Sequence, residues 1–134
     1  MKLLSLTALL FCPLLASAQL AVAVSPVKVT GSKAVVPLAL KNNFTEKIES
    51  ARAVVFLLDE QGKMAGQATR WVIGGSNTNW LAAGATNAFH FVLTSAKPFT
   101  TTNLTAKVTF SRVVMEGGKL ADMTKAVQIK NAAK

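Results

Sequence analysis

Apolar and polar residues alternate with a period of two along most of this chain, and turn residues interrupt the alternation at short intervals. The cleanest alternation runs from Asn103 to Val114, where Leu104, Ala106, Val108 and Phe110 share one face. A period of two predicts a half-buried β-strand. Six further strands are predicted at residues 20–30, 34–40, 51–58, 64–73, 86–93 and 125–130.

The stretch Ala51–Ile73 is predicted to form the centre of the domain. Its two extended runs, an apolar one and a more polar one, flank a polar tip at residues 59–63, which indicates a hairpin with a loop of about five residues. The first run is apolar on both faces, because Val54, Phe56 and Leu58 lie opposite the core side. A strand with one solvent-exposed face carries polar residues at alternate positions. We therefore expect something to cover this second face.

Three alternatives are considered for what covers the second face of this strand. The segment Leu20–Val24 could fold across it, the loop with Trp80 could lie over it, or another molecule could bind there. We expect Trp80 to supply much of the cover. Trp71 shares its strand face with Thr69 and Ile73, which favours packing in the core.

Seven short strands separated by turn signals predict an all-β fold, a single immunoglobulin-like β-sandwich of about seven strands, with a small barrel as the alternative. Pro26 indicates that the first strand is an edge strand or two short pieces with a crossing between them, and Pro37 indicates an edge or a bulge. The predicted core contains Val55, Leu57, Phe89, Phe91, Val108 and Phe110.

The N-terminus has the pattern of a secretory signal peptide. Lys2 is positive, Leu3–Leu15 is mostly apolar, and Ala16–Ala18 presents small residues to a signal peptidase. The apolar run is shorter than the roughly 20 residues that span a bilayer. We expect residues 1–18 to be the signal peptide, with export to the periplasm or the extracellular medium. Residues 19–134 would form one domain without a transmembrane segment.

Cysteine and charge narrow the chemistry further. Cys12 is the only cysteine and lies in the signal, so the mature domain would have no disulfide or thiolate site. Cleavage removes Lys2 from the 15 basic residues and leaves 14 against six acidic ones, a net charge of +8. The bases are scattered, which is typical of a solubilising surface; weak attraction to envelope polyanions is the alternative. No basic run is interleaved with aromatic residues, which argues against nucleic acid.

The sequence offers no catalytic or metal-binding constellation, and we expect neither an enzyme nor a cofactor. His90 is the only histidine, whereas histidine metal sites use two or three. Asp59 and Glu60 are adjacent at the hairpin tip, and Glu46 and Glu49 flank a strand start. Neither pair is spaced to face another carboxyl group across a cleft.

The loop between Ile73 and Gly84 is longer than most connections and is a place to look for function. Its candidate ligand-binding residues are Trp80, Asn77 and Asn79, because an exposed tryptophan can stack on a sugar or anchor a partner. Capping of the core by Trp80 is the alternative. Sequons at Asn43 and Asn103 could matter in a glycosylating host.

Part of the hairpin resembles secreted β-sandwich domains of the FxLYD type. In the run 55–59, Leu57 and Asp59 match the five-residue signature, while Val55 and Leu58 stand where the family has Phe and Tyr. Residues 61–63 match its turn, and Leu81–Gly84 with Phe89 matches the second half. The resemblance implies an immunoglobulin-like fold in an exported protein and no catalytic residue.

These observations support two functional hypotheses. The first is an exported non-catalytic module for adhesion, envelope organisation or protein assembly. The second is a small-ligand or glycan-binding domain that uses the Trp80 loop. The candidate partners are accordingly an envelope protein or a polyanionic glycan.

Overall fold

The computed structural model describes residues 19–75 and 79–131 and shows two β-sheets packed face to face. The predicted all-β sandwich is therefore confirmed. The signal peptide predicted at residues 1–18 lies outside the described residues. The strands are β1 (Leu20–Val24), β2 (Lys28–Thr30), β3 (Lys33–Asn42), β4 (Ile48–Leu58), β5 (Met64–Ile73), β6 (Thr86–Thr94), β7 (Thr105–Met115), β8 (Lys119–Leu120) and β9 (Val127–Asn131).

Two short helical segments join the last strands. A 3-10 helix at Glu116–Gly118 leads into β8, and the helix α1 (Met123–Ala126) leads into β9. In the described part of the chain, no helix has the length and apolarity needed to cross a membrane.

The first sheet is built around β3. Strand β6 pairs with one of its edges, while β1 and β2 follow one another along the other edge. The break between β1 and β2 contains Pro26 and lies opposite Pro37, whose carbonyl accepts a hydrogen bond of 3.0 Å from the N–H of Ser25. The N–H and C=O of one residue point to the same side of a strand, so Pro37 lacks its N–H where the neighbouring strand is interrupted.

The expectation of two short pieces at the N-terminus is confirmed, but both pieces stay in the first sheet and do not cross to the other. Strand β9 pairs in parallel with β1 on its other side. Consequently β1 is an interior strand of the sheet order β9-β1-β3-β6, and its expected position at an edge is wrong.

The second sheet has the order β5-β4-β7-β8 and contains the predicted hairpin. At its tip, the N–H of Asp59 donates to the carbonyl of Lys63 over 2.8 Å, and Gly62 adopts a φ of 81°. The Asp59 carboxylate accepts hydrogen bonds from the backbone N–H groups of Gln61 and Lys63. An acidic side chain therefore fixes the turn, as Asp commonly does.

The core lies between the sheets and is formed by the alternate side chains that face inward. Five of the six predicted core residues are buried; Phe89 is half-buried and contacts Phe91 edge to face, with ring centroids 6.0 Å apart. The inward residues of β4 are fully buried, so the core side of the central hairpin was predicted correctly. They are Ile48, Ala51, Ala53, Val55 and Leu57.

Candidate functional site

The strongest candidate surface is the side of the second sheet that faces away from the core, here called the outer face. Its middle row is Val54, Phe56 and Leu58 on β4, all half-buried. Arg52 extends this row towards the start of β4. The side chains beside it on β5 are Trp71, Thr69, Gln67 and Met64, and those on β7 are Arg112, Thr109, Lys107 and Thr105.

Neither of the two intramolecular covers expected for this face is present. The segment Leu20–Val24 is strand β1 of the first sheet, on the far side of the core. Trp80 is 60% exposed, so the expectation that it packs over the row is wrong. Within residues 19–75 and 79–131, the row is shielded only by its neighbours in the same sheet, and Met64 beside it is 58% exposed.

Arg52 stands between two β-bulges. On the β5 side, Ala51 pairs with Ile73 but Arg52 pairs with Trp71, so one extra residue lies between the two partners. On the β7 side, Arg52 pairs with Arg112 but Ala53 pairs with Phe110, and Ser111 is the extra residue. Bulges redirect side chains and occur often beside functional sites.

The bulge in β5 explains why the expected core position of Trp71 is wrong. The extra residue, Val72, is buried together with Ile73, and this shift of register leaves Trp71 on the outer face with 40% of its surface exposed. The guanidinium of Arg52 lies 5.4 Å from the centroid of its ring. A Cβ atom on Gly75 would lie only 2.8 Å from the Cβ of Trp71, so the chain packs closely against this side chain.

Arg70 does not belong to this surface. Its guanidinium donates a 3.4 Å hydrogen bond to the carbonyl of Val92 on β6 and lies 6.0 Å from the centroid of the Phe91 ring. Arg70 therefore bridges the two sheets at the β5–β6 side of the sandwich. As neighbours in one strand, Arg70 and Trp71 point to opposite faces of the sheet.

The second candidate surface surrounds Trp80. Leu81 is buried and exchanges two backbone hydrogen bonds of 2.9 Å with Ile48, which fixes the chain directly after the tryptophan. The Nζ of Lys47 lies 4.7 Å from the centroid of the Trp80 ring. Asn79 is exposed, and Asn77, the third predicted ligand-binding residue, lies outside the described residues.

Asn42 is a residue that the sequence analysis missed. It is fully buried, and its amide nitrogen donates to the carbonyls of Glu46 and Leu81 over 2.9 and 3.0 Å. Its side-chain oxygen accepts a hydrogen bond from the N–H of Phe44. The amide thus ties together the loop after β3 and the end of the Trp80 loop. The signal in the sequence was a single Asn at the next inward position after the apolar residues of β3.

Acidic and basic residues occupy different parts of the fold. Of the six acidic residues, four lie in loops and turns, Glu116 begins the 3-10 helix, and Glu49 is the second residue of β4. The carboxylate of Glu49 accepts a hydrogen bond from the N–H of Gly117. The strands β5 and β7 contain basic residues and no acidic ones. Arg52, Lys107 and Arg112 on the outer face therefore have no acidic residue as a cross-strand partner.

The other polar residues considered in the sequence do not form a further candidate site. His90 is exposed on β6, opposite Pro37. Glu60 at the hairpin tip accepts hydrogen bonds from Thr101 and Asn103, both of 3.3 Å. No group of three potential metal ligands occurs in the ranges 19–75 and 79–131. Both sequon residues, Asn103 and Asn43, are exposed.

Comparisons with known proteins support the fold. No family model matches the sequence, and no curated protein matches it. Among solved structures, a Bordetella pertussis protein named ApaA is 15% identical with a TM-score of 0.53, and the match covers 77% of this chain and 86% of that one. IrmA from Escherichia coli is 13% identical with a TM-score of 0.52, covering 87% of this chain and 96% of that one. At these identities the similarity shows a shared fold and nothing further.

Proposed function

We propose that this protein is an exported, non-catalytic binding module that docks onto an acidic partner protein through its outer face. The observation that carries the proposal is the row Val54, Phe56 and Leu58. It is apolar, it lies on a sheet face without a second layer in the described part of the chain, and it is flanked by the partly exposed Trp71. Exposed apolar surface rimmed by polar residues is typical of interaction sites.

The shape of this surface favours a protein over a small molecule. From Arg52 to Leu58 the row is roughly 20 Å long, and three strands make it about 10–15 Å wide. A stable protein interface buries about 800 Å² on each partner. The outer face can therefore supply the apolar centre of such an interface, with surrounding polar residues as its rim.

The charges define the kind of partner. Arg52, Lys107 and Arg112 lie on or beside the row, and β5, β7 and the rest of β4 after Glu49 contain no acidic residue. An acidic partner with apolar side chains complements this arrangement. Such complementarity accelerates association and excludes basic proteins.

Photocrosslinking tests the proposal with a matched pair of positions. A photoreactive amino acid replaces Thr109 on the outer face or Thr94 on β6, both exposed threonines on different sheets. In the envelope of the expressing cell, we expect a crosslink to an acidic protein segment from position 109 and none from position 94. The Phe56→Glu variant should lose the crosslink, and added salt should weaken it. Equal crosslinking at both positions, or crosslinking only to a second copy or to glycan, overturns the proposal.

A second candidate function is glycan or small-ligand binding at Trp80. Its support is the 60% exposure of Trp80 and the cation of Lys47 held against its ring. Indole rings stack on sugar faces, and a neighbouring cation favours an anionic sugar. Titration with neutral and anionic oligosaccharides should then show binding that Trp80→Ala removes and Trp71→Ala preserves. Binding unaffected by Trp80→Ala would argue against this site.

Export and the FxLYD-type relationship remain predictions from the sequence. Intact mass measurement of the protein recovered from the envelope or medium tests export directly. A mature chain that begins at Gln19 is expected, whereas an intact Met1 would contradict cleavage after Ala18.

A further inference from the structure

Two arginines face each other across the outer face without a counter-charge. Arg52 on β4 and Arg112 on β7 are direct cross-strand partners. Like charges in this position destabilise a sheet. Neither guanidinium forms an ion pair in residues 19–75 and 79–131, and the nearest acid along β4, Glu49, accepts a hydrogen bond from Gly117. The register therefore places two cations at directly paired positions with no acidic residue paired to either of them on β4, β5 or β7.

The surrounding residues hold Arg52 in place. Its Nε donates a 2.9 Å hydrogen bond to the hydroxyl oxygen of Ser111, and that hydroxyl donates to the carbonyl of Arg52 over 3.4 Å. The centroid of the Trp71 ring lies 5.4 Å from the guanidinium carbon. The Nε is thus engaged by a hydrogen bond and the indole lies near the guanidinium, while the terminal nitrogens make no hydrogen bond to the described residues.

We propose that Arg52 and Arg112 bind a carboxylate side chain of the partner protein, with Trp71 as the wall of the site. Guanidinium groups bind carboxylates through paired, charge-assisted hydrogen bonds, and two of them can share one carboxylate. An apolar residue next to the partner's acid would then contact Val54 and Phe56. This inference rests on the proposed function, because the carboxylate belongs to the protein that covers the outer face.

The site is distinct from a general basic surface because it has a fixed geometry. Lysines scattered over a sheet attract any anion weakly and without preference. A hydrogen-bonded arginine beside a second arginine and an indole ring selects a planar anion attached to an apolar group. Arginine at such a position is not replaceable by lysine, which carries a point charge without the planar fork.

The test uses two short probes and the purified full domain. The probe acetyl-Glu-Phe-amide carries the carboxylate, and acetyl-Gln-Phe-amide is its neutral counterpart. We expect the acidic probe to shift the NMR signals of the Arg52 Nε–H and the Trp71 indole N–H. The neutral probe should bind about 10-fold or more weakly, since hydrogen bonds to charged groups are worth about 1.5–3 kcal/mol.

Variants inside and outside the site should differ in their binding of the acidic probe. Arg112→Gln and Arg52→Lys should each weaken binding of the acidic probe at least about fivefold. Arg70→Gln, on β5 at the β5–β6 side of the sandwich, should leave it unchanged. Arg112→Gln should also raise the melting temperature slightly at low ionic strength, because it removes one of two like charges at a cross-strand pair. A purely structural role for the two arginines would give no gain of this kind.

Each failure has its own signature. Equal binding of the two probes, or equal binding to wild type and Arg112→Gln, overturns the carboxylate site. Inorganic phosphate that competes at lower concentration than the acidic probe would assign the arginines to a phosphoryl group and likewise overturn it. The docking of a partner on the outer face would still be decided separately by crosslinking at position 109.

Discussion

The two faces of β4 are both apolar, yet the fold uses them differently. The inward residues, among them Val55 and Leu57, are fully buried against the other sheet. The outward residues Val54, Phe56 and Leu58 are half-buried by the threonines, glutamine and lysine beside them. The core explains the first set, whereas nothing in the described part of the fold explains the second. This asymmetry within one strand is the main reason to assign a binding role to the outer face.

The largest expected effect contrasts two neighbouring leucines on these faces. Leu57→Ala removes a fully buried side chain and should lower the free energy of unfolding by about 2–5 kcal/mol. Leu58→Ala makes the same chemical change on the outer face and should cost no more than about 1 kcal/mol. Urea denaturation of both variants measures the difference. Similar losses at the two positions would mean that another layer covers Leu58.

Asn42 extends the comparison to a polar residue, because it is fully buried and its hydrogen bonds stabilise the fold. Asn42→Ala would leave the carbonyl of Glu46 without its side-chain donor and the N–H of Phe44 without its acceptor, while the Leu81 carbonyl would keep only the N–H of Ile48, so a loss of about 2–3 kcal/mol is expected. The adjacent exposed Asn43→Ala is the matched control and should be close to neutral. If chemical denaturation finds the two variants equally stable, the buried amide is not the anchor described above.

The inward face could be predicted from the sequence because alternation alone determines which side chains share a face. The position of Trp71 could not, since the bulge residue Val72 interrupts the alternation and puts Trp71 and Ile73 on opposite faces. Bulges depend on pairing with a neighbouring strand and leave little trace in the local sequence. The pairing of Arg52 with Arg112 depends on the same long-range register. The candidate site was therefore accessible only from the structure, although the doubly apolar strand indicated where to look.

A smaller effect on the free energy of unfolding is expected at Phe56, together with a change in the binding of a hydrophobic dye. Phe56→Ala should lower the free energy of unfolding by about 1 kcal/mol, because the ring is half-buried by side chains of its own sheet. It should also reduce the binding of a hydrophobic dye to the folded protein, since the exposed apolar surface shrinks. Fluorescence titration at a temperature well below unfolding measures this. Increased dye fluorescence would instead indicate loosening of the core.

The smallest effect is expected at Trp80, the residue that the sequence suggested as the cover for the outer face. Its ring is 60% exposed and contacts the cation of Lys47, an interaction worth about 0.5–1 kcal/mol at exposed sites. Trp80→Ala should accordingly change the free energy of unfolding by less than about 1 kcal/mol and leave dye binding no higher than in the wild type. The buried Leu81, held by its two backbone hydrogen bonds to Ile48, keeps the end of the loop in place without the indole. A loss near 3 kcal/mol together with raised dye binding would restore Trp80 as an intramolecular cover. It would also remove the main argument for a partner at the outer face, so this single variant tests the comparison between the two faces of β4.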